Sequence, residues 1–413
     1  MSGVRSVGVV GLGYIGLPTS VVFADHGVDI IGIDVNPATV DSINRGEPHI
    51  VEPQLDVLLR KVVESGKLRA TLTAEAADAF IIAVPTPFRD NHEPDLAYIE
   101  AAVKSIAPVL AKGNLIVLES TAPVGATDRL SEWLASSRPD LTFPHQAGEL
   151  SDIRVAHCPE RVLPGQILRE LVENDRIIGG LTPKCGQAAS DLYRVFVRGN
   201  VKLTDARTAE MAKLTENAFR DVNIAFANEL SVICDRLGIN VWELIGLANL
   251  HPRVNILNPG PGVGGHCIAV DPWFIVAADR ENSRLIQAAR AVNDGKPHFV
   301  VDQVRQAAAK FDQPRIACLG LAYKANVDDL RESPAVDIVH MLAEQKIGTL
   351  LVVEPHVDTL PKALTAQGLT LSDYAQAVDS ADIVLLLVDH ALFLAGGRDA
   401  LNGKIVINTR GVL

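Results

Sequence analysis

The chain has 413 residues, 48% of them hydrophobic and 21% charged, the composition of a soluble globular protein, and its length predicts two or three domains. A formal net charge of -12 argues against nucleic acid as a partner, because phosphate backbones call for a basic surface. No apolar run reaches bilayer length and the N-terminus leads straight into a strand pattern, so a cytoplasmic protein with no membrane contact is expected.

In chain order, the apolar run Val4–Val10 ends in Gly11-Leu12-Gly13-Tyr14-Ile15-Gly16, Leu17–Ala24 reads as a helix, and a second run, Ile30–Ile33, ends in Asp34. Strand, glycine turn, helix, strand is one βαβ unit. Strand-like runs at Ala79–Val84 and Leu115–Leu118 alternate with helical patterns at Leu96–Leu110 and Thr127–Ala135, which predicts a doubly wound parallel sheet over residues 1–200. From Ala206 to Leu237 there is no Pro or Gly, and apolar residues recur at helical spacing. One long helix closed by Gly238 is expected there, as a connecting spine or dimer surface in a central part, residues 201–306. Residues 307–413 repeat the opening in degenerate form: Arg315–Leu319 leads into Gly320-Leu321-Ala322-Tyr323-Lys324, then a helix near Val336–Glu344 and strands at Leu350–Val353, Ile383–Val388 and Ile405–Asn408. The fold class is therefore α/β, with two Rossmann-like doubly wound domains joined by a long helix.

The first glycine turn follows a strand, opens a helix and has an acid 18 residues beyond Gly16. That context, rather than the motif alone, marks a dinucleotide site. Gly11 permits the tight turn, Gly13 the approach of a pyrophosphate and Gly16 the helix–sheet contact. Asp34 accepts from ribose hydroxyls and repels a 2′-phosphate, which selects NAD. Thr86 and Thr121 stand at strand ends where such sheets place ligand contacts, although either residue suits an ordinary turn.

Cys158, Cys185, Cys234, Cys267 and Cys318 show neither a disulfide framework nor metal-ligand spacing, so no metal is expected and four are read as small buried hydrophobes. Cys267 differs, because the segment Pro259–Pro272 sets four glycines within six positions just before it, a composition that suits close approach of a ligand to backbone. It is either a nucleophile or a small residue in a glycine turn. Lys213, Asn217 and Arg220 fall at i, i+4 and i+7 on the long helix, hence on one face, which is either a solvated stripe or a wall of a cleft. Polar loops at Cys158–Gly165, His251–Asn255 and Asp328–Glu332 each add an arginine suited to a diphosphate or to a surface ion pair.

Taken together, Gly262-Val263-Gly264-Gly265-His266-Cys267-Ile268-Ala269-Val270-Asp271, Pro159-Glu160-Arg161-Val162-Leu163-Pro164-Gly165 and Lys213-Leu214-Thr215-Glu216-Asn217 resemble the UDP-glucose/GDP-mannose dehydrogenase family over essentially the whole chain, and within it the UDP-N-acetylmannosamine 6-dehydrogenase branch. UDP-glucose members carry a Phe-Gly-Gly-Ser-Cys-Phe-Pro-Lys-Asp version of the cysteine loop, from which this chain departs. The resemblance implies NAD as cofactor, a UDP-sugar substrate, a homodimer through the long helix and a role in surface polysaccharide synthesis. By matching motif, it places Tyr14, Ile15, Asp34, Thr86, Thr127 and Arg331 at NAD. It places Arg161, Val162, Lys213, Asn217, Arg220, His251, Arg253, Gly264, Tyr323 and Lys324 at the nucleotide-sugar, with Arg410 as an addition. Cys267, Lys213, Asn217, Asp271 and Glu160 would carry a four-electron oxidation through a thiohemiacetal and a thioester. The competing readings are a UDP-N-acetylglucosamine 6-dehydrogenase, a one-step 3-hydroxyacid dehydrogenase and a non-catalytic nucleotide-sugar sensor.

Overall fold

The computed structural model describes residues 3–412 apart from 266 and 398, so His266 of the cysteine loop lies outside the described residues. The chain forms two compact units, divided between Thr215 and Glu216.

The first unit is built on an eight-stranded sheet of β1 (Ser6–Val10), β2 (Asp29–Ile33), β3 (Leu68–Thr71), β4 (Ala79–Ile82), β5 (Leu115–Leu118), β6 (Arg154–His157), β7 (Arg176–Gly180) and β8 (Val201–Asp205), in the order 3-2-1-4-5-6-7-8. Its central strands are apolar on both faces, and successive side chains enter opposite cores. Val7, Val9, Ala79, Ile81, Leu115 and Val117 pack with α1 (Gly16–Asp25), α2 (Leu55–Glu64) and Pro183–Tyr193. Val10, Phe80, Ile82, Ile116 and Leu118 pack with α3 (Ala97–Ile106) and α4 (Ala126–Ser137).

One expectation needs correction. The sheet is not wholly parallel, because β6 and β7 run antiparallel, with Ala156 opposite Gly180 and His157 opposite Gly179. A strand buried on both faces reads the same whichever way it runs, so its apolar pattern carries no direction.

The long helix α5 (Ala206–Leu237) has the predicted bounds and begins in the first unit. Gly238 ends it at φ +67, where the Ile239 N–H returns to the Cys234 carbonyl at 2.9 Å. In the second unit, α6 (Val241–Ala248), α7 (Asp271–Ala278) and α8 (Arg284–Ala308) follow. A four-stranded parallel sheet of β9 (Arg315–Leu319), β10 (Thr349–Val353), β11 (Ile383–Leu386) and β12 (Ile405–Asn408) then forms in the order 10-9-11-12, with α9 (Pro334–Glu344) between β9 and β10. Val300, Val301 and Val304 of α8 share one core with Ile316, Cys318, Ile338 and Leu385. Among the described residues no helix is long and apolar enough to cross a membrane.

Candidate active site

In the first unit the glycine turn separates protein packing from ligand space. A Cβ on Gly16 would stand 1.8 Å from the Gly11 carbonyl oxygen, and one on Gly11, at φ +90, would stand 2.5 Å from that of Ala83. A Cβ on Gly13 would meet nothing within 4 Å. Protein contacts therefore account for two of these glycines, and the third keeps open the space in which a pyrophosphate approaches a helix N-terminus. Asp34 is fixed at the end of β2 by the Leu12 N–H at 3.0 Å and the Asn36 N–H at 2.9 Å, beside the half-exposed Tyr14. This set fits NAD: the Gly13 turn and α1 would receive the pyrophosphate, and Asp34 a ribose. Across the sheet, the Thr86 hydroxyl donates to the Thr121 carbonyl at 2.6 Å and ties the ends of β4 and β5.

Thr127 is the second residue of α4. It is fully buried, and its N–H and hydroxyl both donate to Glu210 of α5, at 2.8 and 2.6 Å, while the Gly125 N–H donates to the same carboxylate at 2.6 Å. Glu210 thus caps α4, and the Thr127 side chain faces protein.

Glu160 is also engaged. Its carboxylate accepts the Arg161 N–H at 2.7 Å and pairs with Arg176 at 2.8 Å, and both side chains of that pair are buried. Arg176 also lies 3.7 Å from Glu119, which accepts the Tyr193 hydroxyl at 2.9 Å and that of Thr19 at 3.2 Å. Burial, with Glu160 adding like charge, raises Glu119 to about 7 despite Arg176. Val162 packs its side chain on the first core, and Arg161 donates to the Asp175 carbonyl.

Four of the five cysteines are not distinctive: Cys158 and Cys185 of the first unit and Cys234 and Cys318 of the second are buried, whereas Cys267 of the second unit is exposed. Its carbonyl accepts the N–H groups of Val270 and Asp271 at 3.1 and 2.9 Å, which sets the thiol just before the N-terminus of α7, an end that favours negative charge. Asp271, the first residue of α7, is buried and accepts from the Asn217 amide at 2.5 Å, so the long helix and the cysteine loop meet at a polar contact. Lys213 stands one turn earlier on α5 and is half-buried; Arg220 is exposed.

Protein packing by itself demands glycine at three positions before Cys267. A Cβ on Gly264 would lie 2.5 Å from the Glu332 carbonyl oxygen, on Gly265 2.9 Å from the Tyr323 ring, and on Gly262 2.8 Å from Pro334. Beside this loop is a narrow cleft, about 20 Å³ in volume, lined by Pro261, Gly262, Tyr323, Lys324, Asp389 and Arg410 among others. It lies past the ends of β9, β11 and β12, where the strand order reverses and open parallel sheets bind ligands. Arg410 crosses Gly260 and pairs with Asp389 at 3.0 Å. His251 and Arg253 are exposed in the turn after α6, and Arg331 is exposed and paired with Asp329 at 2.6 Å.

Sequence reading missed the buried struts. Asp221 of α5 pairs with Arg290 of α8 at 2.7 Å and accepts from Asn293 at 2.8 Å, and Asn228 accepts the Gly260 N–H at 2.9 Å, which anchors the start of the glycine loop. Asp221 and Asn228 recur seven residues apart on an otherwise apolar helix face, a signal that was legible. A larger cavity of about 410 Å³, lined by Asp235, Trp242, Lys296 and Gln303 among others, contains none of the expected site residues.

A Rossmann sheet with a fitting dinucleotide turn, in a chain that also presents an exposed thiol, defines a nicotinamide-dependent oxidoreductase. Models of the UDP-glucose/GDP-mannose dehydrogenase family match the chain over residues 5–197 (NAD binding domain), 207–295 (central domain) and 317–413 (UDP binding domain). The chain is 66% identical, over 99% of its length and 96% of the relative's, to an NDP-N-acetyl-D-galactosaminuronic acid dehydrogenase of Ralstonia nicotianae. It is 58% identical to the UDP-N-acetyl-D-mannosamine dehydrogenase of Yersinia pestis, over 99% of each. The solved UDP-N-acetylmannosamine dehydrogenase from Pyrococcus horikoshii superposes with a TM-score of 0.90 at 39% identity, covering 99% of this chain and 96% of that one. The chain belongs to the UDP-glucose/GDP-mannose dehydrogenase family and is an NAD-dependent oxidoreductase. These relatives leave the non-catalytic sensor reading without support.

Proposed function

We propose that the protein oxidises the terminal primary alcohol of a UDP-2-acetamido sugar to a carboxylate, with UDP-N-acetyl-D-mannosamine as substrate and Cys267 as the covalent nucleophile. The exposure of Cys267, in a chain whose other cysteines are buried, carries the reading. The sugar is supported by the relatives that act on UDP-N-acetylmannosamine and by the departure of the cysteine loop from the UDP-glucose version. A galacto-configured substrate is a second reading, favoured by the 66% identical relative; the gluco epimer is a third candidate. Purified protein offered the three epimers and UDP-glucose, with product mass followed, decides among them. Preferential oxidation of UDP-glucose would overturn the substrate class.

NAD, when bound, accepts the hydride that leaves the sugar carbon in each of two oxidations. Lys213 assists removal of the alcohol proton in the first. The Cys267 thiolate then adds to the aldehyde carbon, so that the intermediate is tethered as a thiohemiacetal rather than lost to solvent. Loss of a hydride from that carbon and a proton from its oxygen leaves a thioester, which water hydrolyses, returning the thiol. Asn217 and Lys213 stabilise the oxyanions, and Asp271, held by Asn217, orients the water. Glu160 holds the Arg161 loop and serves as an acid or base at most secondarily, given its ion pair to Arg176.

Gly11, Gly13, Tyr14, Ile15, Gly16, Asp34, Thr86, Thr121 and Thr127 form the proposed NAD site, with Arg331. Arg161, Val162, Lys213, Asn217, Arg220, His251, Arg253, Gly264, Tyr323, Lys324 and Arg410 form the proposed UDP-sugar site. The organisation is proposed as 1–200, 201–306 and 307–413. A homodimer through α5 is supported by Phe219, Phe226 and Ile233, which recur every seven residues and are 69%, 51% and 45% exposed, with Leu237 beyond them at 66%.

A further inference from the structure

The two sheets repeat one device and use it differently. In the first, the Gly11 N–H donates to the Ile33 carbonyl at 2.8 Å and the acid after β2, Asp34, accepts the Leu12 N–H. In the second, the Gly320 N–H donates to the Val353 carbonyl at 2.8 Å, and the acid after β10, Glu354, accepts the N–H groups of Leu321 and Ala322 at 2.7 and 3.0 Å. Asp34 keeps an open side on which a ribose can sit. Glu354 is 5% exposed, and fully buried His390 closes its remaining side, with Nε2 3.1 Å from the same carboxylate oxygen.

His390 has a second tie. Its Nδ1 accepts the Asn326 N–H at 2.9 Å, so the proton stands on Nε2 and donates to Glu354. Asn326 has φ +58, a left-handed conformation that a non-glycine residue keeps only when its surroundings hold it. Its side-chain oxygen accepts the Ala391 N–H at 2.9 Å, which supplies that hold. The loop from Gly320 to Asn326 is therefore fixed at its start by Glu354 and at its end by His390 and Ala391. Between the two ties stand Tyr323 and Lys324, which line the cleft past β9 and β11.

We propose that Glu354 and His390 are positioning residues for nucleotide binding: the acid that reads a ribose in the first sheet is, in the second, a buried strut that presents Tyr323 and Lys324 to the UDP moiety. The inference rests on the proposed function of that loop. Both strut residues are buried outside the lining of the cleft, and neither belongs to the proposed NAD site, so their loss is felt by one ligand alone.

The test is calorimetric titration of the whole protein with UDP and, separately, with NAD. His390→Leu keeps bulk and removes both ties; its Kd for UDP should rise about tenfold, the scale of one lost charge-assisted hydrogen bond, with the Kd for NAD unchanged. His390→Asn, whose side-chain oxygen can stand in for Nδ1, should recover part of that loss. Asn326→Gly keeps the left-handed backbone and releases the Ala391 tie, and should weaken UDP about threefold. KM for the UDP-sugar should follow the UDP Kd in each, with kcat within about twofold. If His390→Leu binds NAD normally and UDP as tightly as native, the inference is overturned. Should that variant fail to bind NAD through misfolding, Asn326→Gly decides by the same criterion. Lys324→Ala separates the two levels: if it leaves UDP binding intact, the assignment of the loop to the nucleotide fails; if it weakens UDP while the strut variants do not, the positioning role alone fails.

Discussion

Individual residues in this chain are held for different reasons that sequence spacing does not separate. Gly13 and Gly16 belong to one motif, yet only Gly16 is demanded by protein atoms. Gly16→Ala should lose about 3 kcal/mol of stability through overpacking, whereas Gly13→Ala should unfold at the native temperature and lose NAD affinity. Thermal unfolding with and without NAD checks both. Glu119 gives a prediction in pH. Its carboxyl is raised from the ordinary value of 4.5 to about 7 by burial and by Glu160, so the folded state holds a proton that the unfolded state has released between those values. Stability contributed at this site is present below 4.5, declines as pH rises towards about 7 and is absent above it. Glu119→Gln should therefore raise the unfolding temperature above pH 7 and leave it nearly unchanged below pH 4.5; an equal shift at both ends would contradict the burial of a titrating acid.

Among the elements, α5 does two tasks on different faces. Its buried polar pair with α8, Asp221 to Arg290, fixes the two helices together, and Asn228 holds the loop that begins at Gly260. Asp221→Ala leaves Arg290 without its buried partner and should cost about 3 kcal/mol in denaturant unfolding. The exposed Phe219, Phe226 and Ile233 carry the proposed dimer contact. Phe226→Asp should shift the mass measured by light scattering from dimer to monomer, and a native protein that is monomeric at micromolar concentration would remove that role. The bounds of α5 were legible because 32 residues without Pro or Gly leave the helix nowhere to stop before Gly238. The direction of β7 was not, since burial on both faces erases the alternation that would orient it.

For the whole molecule, the second sheet and four strands of the first, β1, β2, β4 and β5, follow from apolar runs punctuated by turns, whereas β3, β6, β7 and β8 stand in runs too short or too mixed in polarity to be singled out. Much of the site was readable as well, because its motifs are contiguous: the Gly11–Gly16 turn and the loop before Cys267. The supports were not, because Glu210 to Thr127, Arg176 to Glu160 and His390 to Glu354 join residues distant in sequence, and no spacing rule reports a contact made only by folding. The packing of the cysteine-loop glycines against Tyr323, Glu332 and Pro334 was not legible either, for the same reason. What remains central is the thiol at 267. Its most direct measurement is the NADH and sugar carboxylate released by the native protein and by Cys267→Ala from one UDP-2-acetamido sugar. The native protein should yield NADH and acid in the ratio of the two hydrides lost, and the variant should form no carboxylate at a comparable rate. Carboxylate released by Cys267→Ala at the native rate would contradict covalent catalysis at this cysteine.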